Sequence, residues 1–516
     1  MFYLSNPTIL AILEVSRKQD YIFASTELKE NVQRSAEIAY VTSSKFFQEA
    51  AGSLYSEAEN LVYAGGGHTV LQFGSTEQAK KFACVVTETA LRRYSRMEIF
   101  VKLKEYDPAR TPGENLAALS AALEEKKARR QASFRWASFG VEGAEAMEEH
   151  DREKDRMLED VLDLPGPAGW YYPTRFDEIA GKDNFIAVVH IDGNAMGKRV
   201  QGIYETCKTD WDACRRALQA FSAGIQKDFE DTFRDTAYAL TVAGLDGVEP
   251  PVLPLRPVIL AGDDVCFVAR GELGLECAHL FLEHLTQRTN KQDHMPYAAC
   301  AGAALVHTKF PFHMAYDLAE QLCSSAKKFG AEIDAESRVS AMDWHIEYGQ
   351  LKESLGEIRD DYIAEDGSVM TLRPVTVVTP ESVPKQALQT ATAGVRTWDF
   401  FCAMCGGLRE GYKDVPRSKL KELRTAIKQG KRETSFVIRN SQISAMLYHA
   451  FDAKHNTLAE QMAVYREDWR AGDMARSVRA EKTAFQTVDG KEHCLFFDAI
   501  EMMDHCVLLG KEETEG

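Results

Sequence analysis

Residues Val258–Ala269 read VILAGDDVCFVA, two apolar runs pinched around Gly262-Asp263-Asp264. Such runs predict two strands, and the polar pinch predicts a hairpin turn with adjacent carboxylates at its tip. Gly and Asp favour tight turns for their own sake, so the tripeptide alone fits a plain turn as well as a site. The chemistry that separates the two readings is metal binding. Carboxylates taken out of water are costly unless paired or bound to a cation. Paired acids on a rigid tip are what a Mg²⁺-dependent nucleotidyl transfer requires. The partner acid is Asp192, which ends the apolar run FIAVVHID and precedes Gly193-Asn194-Ala195-Met196-Gly197-Lys198. If the two segments are neighbours, Asp192, Asp263 and Asp264 converge on one or two Mg²⁺ or Mn²⁺ ions. Such ions would lower the pKa of an attacking ribose hydroxyl and neutralise a leaving pyrophosphate. Gly193 and Gly197 would let the backbone approach triphosphate oxygens closely.

The order of elements supplies the neighbourhood. Phe185–Asp192 reads as a buried strand, followed by helical periodicity around Trp211–Arg234 and then the strand pair around Gly262-Asp263-Asp264. Glu272–Arg288 is helical, Tyr297–His307 is a strand, and Pro311–Gly330 opens with Pro and closes at Gly as a helix does. Val339–Ile346 is a closing strand. This is β-α-ββ-α-β, the ferredoxin-like palm pattern, with an appended helix and strand. In that pattern the end of the first strand lies beside the hairpin tip. Lys327 and Lys328 then end a helix within reach of bound phosphates. Basic residues at a helix C-terminus also serve simply to complement its dipole.

The N-terminal part repeats the order: strand Thr8–Val15, helical Phe23–Ala50, strands Asn60–Gly66 and His68–Phe73 around Gly65-Gly66-Gly67, helix Thr76–Ser95 and strand Met97–Glu105. The expected architecture is α+β: a first palm over residues 1–105 and a helical linker over 106–184. A second palm over 185–380 and a C-terminal helical domain over 381–516 complete it. The formal net charge of −17 argues against whole-chain nucleic-acid binding, so any such contact needs a local basic face. Arg409–Arg439 supplies one, with Lys413, Arg417, Lys419, Lys421, Arg424, Lys428, Lys431 and Arg432 between its ends. No apolar window is long enough for a membrane span, and the N-terminus has no signal-peptide pattern. Eleven cysteines, mostly in apolar segments, fit free thiols in a reducing cytoplasm. His150-Asp151 sits in a charged run and reads as a solvated helix rather than a metal motif.

Several of these stretches together resemble the large polymerase-cyclase subunit of type III CRISPR effector complexes, and more distantly the GGDEF nucleotide cyclases. They are SRKQDYIFASTELKENVQRSAEI (Ser16–Ile38), YAGGGHTVLQF (Tyr63–Phe73), HIDGNAMGK (His190–Lys198), LAGDDVCF (Leu260–Phe267) and CAGAALVHTKFPFHMAYDLAEQLCSSAKK (Cys300–Lys328). The resemblance implies synthesis of cyclic oligoadenylate from ATP, with pyrophosphate released, by a subunit working with guide and target RNA. It makes the first palm catalytically silent, with Gly65, Gly66, Gly67 and His68 lining a second nucleotide site. Gly262 and Asn194 join the nucleotide-binding set, and Asn194 stands where the family often has a further acid. The family's GGDD is Ala261-Gly262-Asp263-Asp264 here. Because the chain begins at the first palm, the nuclease domain found in many members is expected to be absent. The family's Cys-rich zinc element is missing too, and Cys402-Ala403-Met404-Cys405 is a lone CxxC. Two other readings stay open: a silent scaffold that binds guide RNA complexes, and a stand-alone cyclic nucleotide synthase.

Overall fold

The computed structural model describes residues 8–129, 156–180, 184–245, 248–349, 352, 354–412, 417–440 and 484–509. His150-Asp151 and Lys413 lie outside them. The first sheet runs β2-β3-β1-β4, built from β1 (Ile9–Ser16), β2 (Leu61–Gly65), β3 (His68–Phe73) and β4 (Glu98–Glu105). The second sheet runs β10-β9-β8-β5-β7-β6. Its strands are β5 (Phe185–Gly193), β6 (Leu255–Ala261), β7 (Asp264–Arg270), β8 (Ala299–His307), β9 (Ser340–Ile346) and β10 (Val375–Val378). The order β6-β7-β5-β8 repeats β2-β3-β1-β4, and each first strand sits in the middle, antiparallel to both neighbours. The fold is therefore α+β with two ferredoxin-like palms. The appended strand β9 runs parallel to β8, after the helix between them.

Burial explains which apolar runs become strands. Along β5 every residue from Ile186 to Ile191 is buried, as a central strand covered on both faces requires. Strand β8 is small-residue rich (ACAGAALVH) because the helix Phe312–Ile333 lies almost on its backbone. A Cβ on Gly302 would stand 2.0 Å from the Ala319 carbonyl oxygen and 2.3 Å from the Cys323 nitrogen.

Helices carry the rest. They are α1 (Lys18–Ile22), α2 (Leu28–Val41), α3 (Ser44–Ala51), α4 (Thr76–Arg93) and α5 (Pro112–Ala128) in the N-terminal part. The second palm adds α6 (Met196–Cys207), α7 (Trp211–Val242), α8 (Gly274–Thr286) and α9 (Phe312–Ile333). The expected helix over Phe23–Ala50 is broken at Thr42–Ser43, because the Ser43 side chain caps a new helix by accepting from the Phe46 N–H. Helix α6 lies before the helical stretch expected around Trp211–Arg234 and was not expected. Helix α7 runs eight residues past its expected end. It also joins the palms: Trp211 Nε1 donates to Gln72 Oε1 at 2.7 Å, and Arg215 donates to the Leu61 carbonyl at 3.2 Å.

The C-terminal region is not purely helical. After α10 (Trp398–Tyr412), α11 (Arg417–Gln429) and α12 (Lys431–Asn440), a hairpin of β11 (Phe485–Val488) and β12 (Lys491–Cys494) precedes the short helix Phe497–Met502. Val488-Asp489-Gly490 gives the turn its signal, with Asp489 and Gly490 both at positive φ. This end is fastened by the buried Arg373, which pairs with Glu501 at 2.7 Å and Asp498 at 3.6 Å. No described helix is long and apolar enough to cross a membrane.

The Gly302 packing predicts that Gly302→Ala destabilises the second palm by about 3 kcal/mol, the upper end for overpacking, because backbone atoms cannot yield. Urea unfolding monitored by circular dichroism checks this. An unchanged midpoint would mean that helix and sheet part more easily than the spacing implies.

Candidate active site

The ladder places Asp192 directly opposite Asp264 on β7 and opposite Cys300 on β8. Directly paired residues share a face of the sheet, and α9 packs on that face. Cys323 Sγ donates to the Cys300 carbonyl at 3.1 Å, and about one turn further on Lys327 reaches the strand end. Its ammonium donates to the Asp192 carboxylate and, at 2.9 Å, to the Gly193 carbonyl. Lys328 is exposed, a helical step round from Lys327, and does not share its bonds. Of the two lysines, only Lys327 is at the acids.

Asp263 occupies the turn itself. The Gly193 N–H donates to the Asp263 carbonyl at 3.2 Å, and a Cβ on Gly193 would stand 2.8 Å from Asp263 Cβ and 2.7 Å from Met196 Cε. Gly193 therefore makes room for an aspartate and a methionine rather than for a phosphate, which corrects its expected role. Gly197 lies exposed in the first turn of α6, with open space around its α-carbon. Asn194 is turned away from the carboxylates: its buried amide donates to the Val339 carbonyl at 3.0 Å, and its N–H to the Ala298 carbonyl at 2.8 Å. It locks the strand end to β9 instead of ligating. Gly262 has φ +71°, which a side chain disfavours, and its N–H donates to Gln226 Oε1 of α7 at 2.6 Å. Gln226 thus fastens the tip from outside.

Several contributors had no motif to mark them. Asp264 has 43% of its side chain open to the space between the palms, yet its Oδ1 is buried with no hydrogen-bond partner. The nearest base is the buried His190, whose Nδ1 is 3.7 Å away and equally unpartnered. Its ring meets Tyr316 of α9 edge to face, with centroids 5.4 Å apart. From the first palm, Gln19 donates to the Tyr316 hydroxyl at 3.3 Å and to Glu320 at 3.4 Å. Burial and the neighbouring Asp192 charge push the Asp263 carboxyl up to about 6 and the Asp264 carboxyl to about 7. Burial lowers the His190 pKa.

The first palm carries the same frame with other residues. Glu14 stands opposite His68 as Asp192 stands opposite Asp264, and Gly65 opposite His68 as Ala261 opposite Asp264. The Val15 N–H donates to the Gly67 carbonyl at 3.1 Å, matching the bond from Gly193 to Asp263. Lys127, on the helix after β4, pairs with Glu14 at 2.8 Å, as Lys327 on the helix after β8 pairs with Asp192. The two tips face each other: a Cβ on Gly262 would lie 4.0 Å from the Gly66 nitrogen. Beside them opens a cavity of about 430 Å³, lined by Arg17, Lys18, Ser35 and Gly66 from one palm and by Leu260 and Asp264 from the other, among others.

Carboxylates in three places, one oxygen of them orphaned, suit a hard divalent cation better than any soft metal. Among the described residues no three His, Cys, Asp or Glu side chains are grouped so that they alone could hold a metal ion, here or at the Cys402–Cys405 pair. Mg²⁺ commonly completes such a shell with substrate phosphates. Cys402 and Cys405 both lie in α10, with Cys405 buried, and act as core residues.

Two paired palms, one of them with an acidic tip, define the fold. Residues 185–334 match the family model described as Cas10/Cmr2, second palm domain. Among solved structures it is similar to the apo Csm1–Csm4 cassette (13% identity, 97% of this chain and 70% of that chain, TM-score 0.50). The cassette in complex with AMPPNP is also similar (15% identity, 63% of this chain and 54% of that chain, TM-score 0.44). So is the cassette in complex with cA4 (13% identity, 97% and 70%, TM-score 0.49). The match to the cassette with AMPPNP thus spans about half the length of that chain. No curated protein matches it.

The raised carboxyl pKa values carry a sign. Without divalent cations these two carboxyls hold more protons in the folded protein than in the unfolded chain from about pH 4 to pH 7, so their contribution to stability falls as pH rises through that window. In EDTA, Asp264→Asn is expected to flatten the fall and to raise the Tm at pH 8. Mn²⁺ raises the wild-type Tm and leaves Asp263→Asn/Asp264→Asn unmoved. Thermal scans across pH check this, and an Asp264→Asn variant whose Tm follows the wild-type pH dependence in EDTA would contradict it.

Proposed function

We propose that the protein is the nucleotidyltransferase subunit of a type III CRISPR-like effector, joining ATP into 3′-5′-linked, cyclic oligoadenylate. The observation that carries this reading is an acid-bearing tip facing an acid-free twin across one cavity. Two nucleotides seated on the two palms are brought face to face, which is the positioning that a condensation needs. The 3′-hydroxyl of one attacks the α-phosphate of the other. A new P–O bond forms, the α–β anhydride breaks, and pyrophosphate leaves.

In this reading Asp192, Asp263 and Asp264 hold Mg²⁺ or Mn²⁺. When bound, the ion activates the attacking hydroxyl and neutralises the leaving pyrophosphate. The protein supplies the rest. Lys327 trades its bond to Asp192 for phosphate oxygens as the nucleotide enters. The N-terminus of α6, whose Ala195 cap offers no side-chain bond, presents backbone N–H groups to an anion. Gln226 and Asn194 keep the tip and the strand end in place. Apolar Ile38, Ala39 and Leu260 offer a base a dry surface, and the Ser35 hydroxyl is a polar contact among them.

The resemblance brings guide and target RNA, through partner subunits, into the proposal. Exposed Lys421, Arg424, Lys428, Lys431 and Arg432 on α11 and α12 offer a basic face, while Leu423, Ile427 and Ile438 bury the other. Lys419 and Lys431 are partly engaged by Glu422 and Glu492.

Incubation with each labelled NTP and Mg²⁺, with and without guide and target RNA, tests the reading. Oligoadenylate is expected from ATP, and Asp263→Ala/Asp264→Ala lowers its yield at least about a thousandfold, since the variant loses the ligands of the reacting centre. Absence of product from every NTP with all partners present would leave the silent scaffold as the better reading. Product formed without RNA or partners would favour a stand-alone synthase.

A further inference from the structure

The register match between the palms shows an inversion of charge. The Gly66-Gly67 turn of the first palm corresponds to the Gly262-Asp263 turn of the second, so Gly67 stands where Asp263 stands. The space that a side chain at 67 would fill is taken. A Cβ there would lie 2.6 Å from Lys18 Cδ and 3.5 Å from Lys18 Nζ. Lys18 crosses the tip and donates to the Gly66 carbonyl. A cation thus occupies the space that the second palm gives to an acid.

The residues around it agree. His68 replaces Asp264, and burial together with Lys18 lowers its pKa. Arg17 is exposed, lines the cavity, and forms no salt bridge with any described residue. It holds φ +51°, matching Ala195 at φ +57° at the same point of the second palm. A bulky residue kept in that region marks a constrained position. The second palm gathers three carboxylates and one ammonium, Lys327. The first gathers one carboxylate, Glu14, with Lys127, Lys18 and Arg17. Asp20 lines the same cavity and is the acid nearest in sequence.

We infer that the first palm binds a nucleoside triphosphate without a divalent cation, with the Lys18 ammonium and the Arg17 guanidinium neutralising the phosphates in the metal's stead. The inference rests on the reading of the cavity as a two-nucleotide site. Arg17 offers a planar fork suited to two phosphate oxygens, and Lys18 a compact point charge at the tip. The protein would then separate the roles of its two nucleotides by charge alone: one held by side chains, the other dependent on metal.

Equilibrium dialysis with labelled ATP on the full chain, in Mg²⁺ and in EDTA, tests it. Two ATP molecules are expected to bind in Mg²⁺ and one in EDTA. Lys18→Met, which keeps the stem and removes the charge, weakens the EDTA-resistant binding at least about tenfold, as loss of a charge-assisted bond implies. Lys18→Arg restores it, and Asp263→Asn/Asp264→Asn leaves it unchanged. Circular dichroism confirms that each variant is folded. Two sites in Mg²⁺ and none in EDTA would overturn the inference while leaving the two-nucleotide reading intact. EDTA-resistant binding that Lys18→Met does not weaken would overturn it as well. No binding in either condition would remove the reading itself, and the inference with it.

Discussion

Asp192, Asp263 and Asp264 are held near one another by backbone that cannot relax. The β5–β7 ladder sets Asp192 opposite Asp264, and the two-residue turn adds Asp263. Burial raises the carboxyl pKa values of Asp263 and Asp264 most, and the repulsion between like charges adds to it. Much of the neighbourhood answers this one constraint. Lys327 offsets part of it, Gly193 gives Asp263 room, and Gln226 and Asn194 hold the backbone that the repulsion would otherwise spread. The dense packing of α9 on β8, possible only with Gly302 beneath it, is what delivers Lys327 to the strand end.

The first palm shows the same scaffold with the constraint removed. Its ladder, turn, cap geometry and lysine–carboxylate pair are retained. At the tip, glycine and histidine replace the two aspartates, and Lys18 fills the vacated space. Retention of frame with inversion of charge is hard to reconcile with a palm that only props up its neighbour. It fits a palm that still meets an anion.

Much of this was legible in the sequence. Period and punctuation mark the strands of the first sheet to within about one residue and β5 to β9 of the second to within about three, because central strands are apolar throughout and their turns are Gly- or Asp-rich. The three acids are legible because they lie at strand ends and in the turn between them; Lys327 is expected at a helix end but sits inside α9, which runs on to Ile333. What was hidden depended on distance across the fold. Nothing in Arg17-Lys18-Gln19 says that it reaches the opposite palm. Asn194, expected in the nucleotide-binding set, has its amide bonded to the Val339 carbonyl. Gln226 sits mid-helix without a motif, and His190 reads as one more residue of a buried strand. The α6 helix lies before the helical stretch expected around Trp211–Arg234, and the β11–β12 hairpin was masked by four-residue strands too short to show a period.

The central claim is that one duplicated frame holds one nucleotide with a metal and the other without. Crystals grown with ATP and Mn²⁺, with anomalous diffraction collected at the manganese edge, test this most directly. The account predicts nucleotide density on both palms and manganese peaks only beside Asp192, Asp263 and Asp264. A manganese peak beside Glu14 and His68, or nucleotide on both palms with no manganese at the acidic tip, would contradict it.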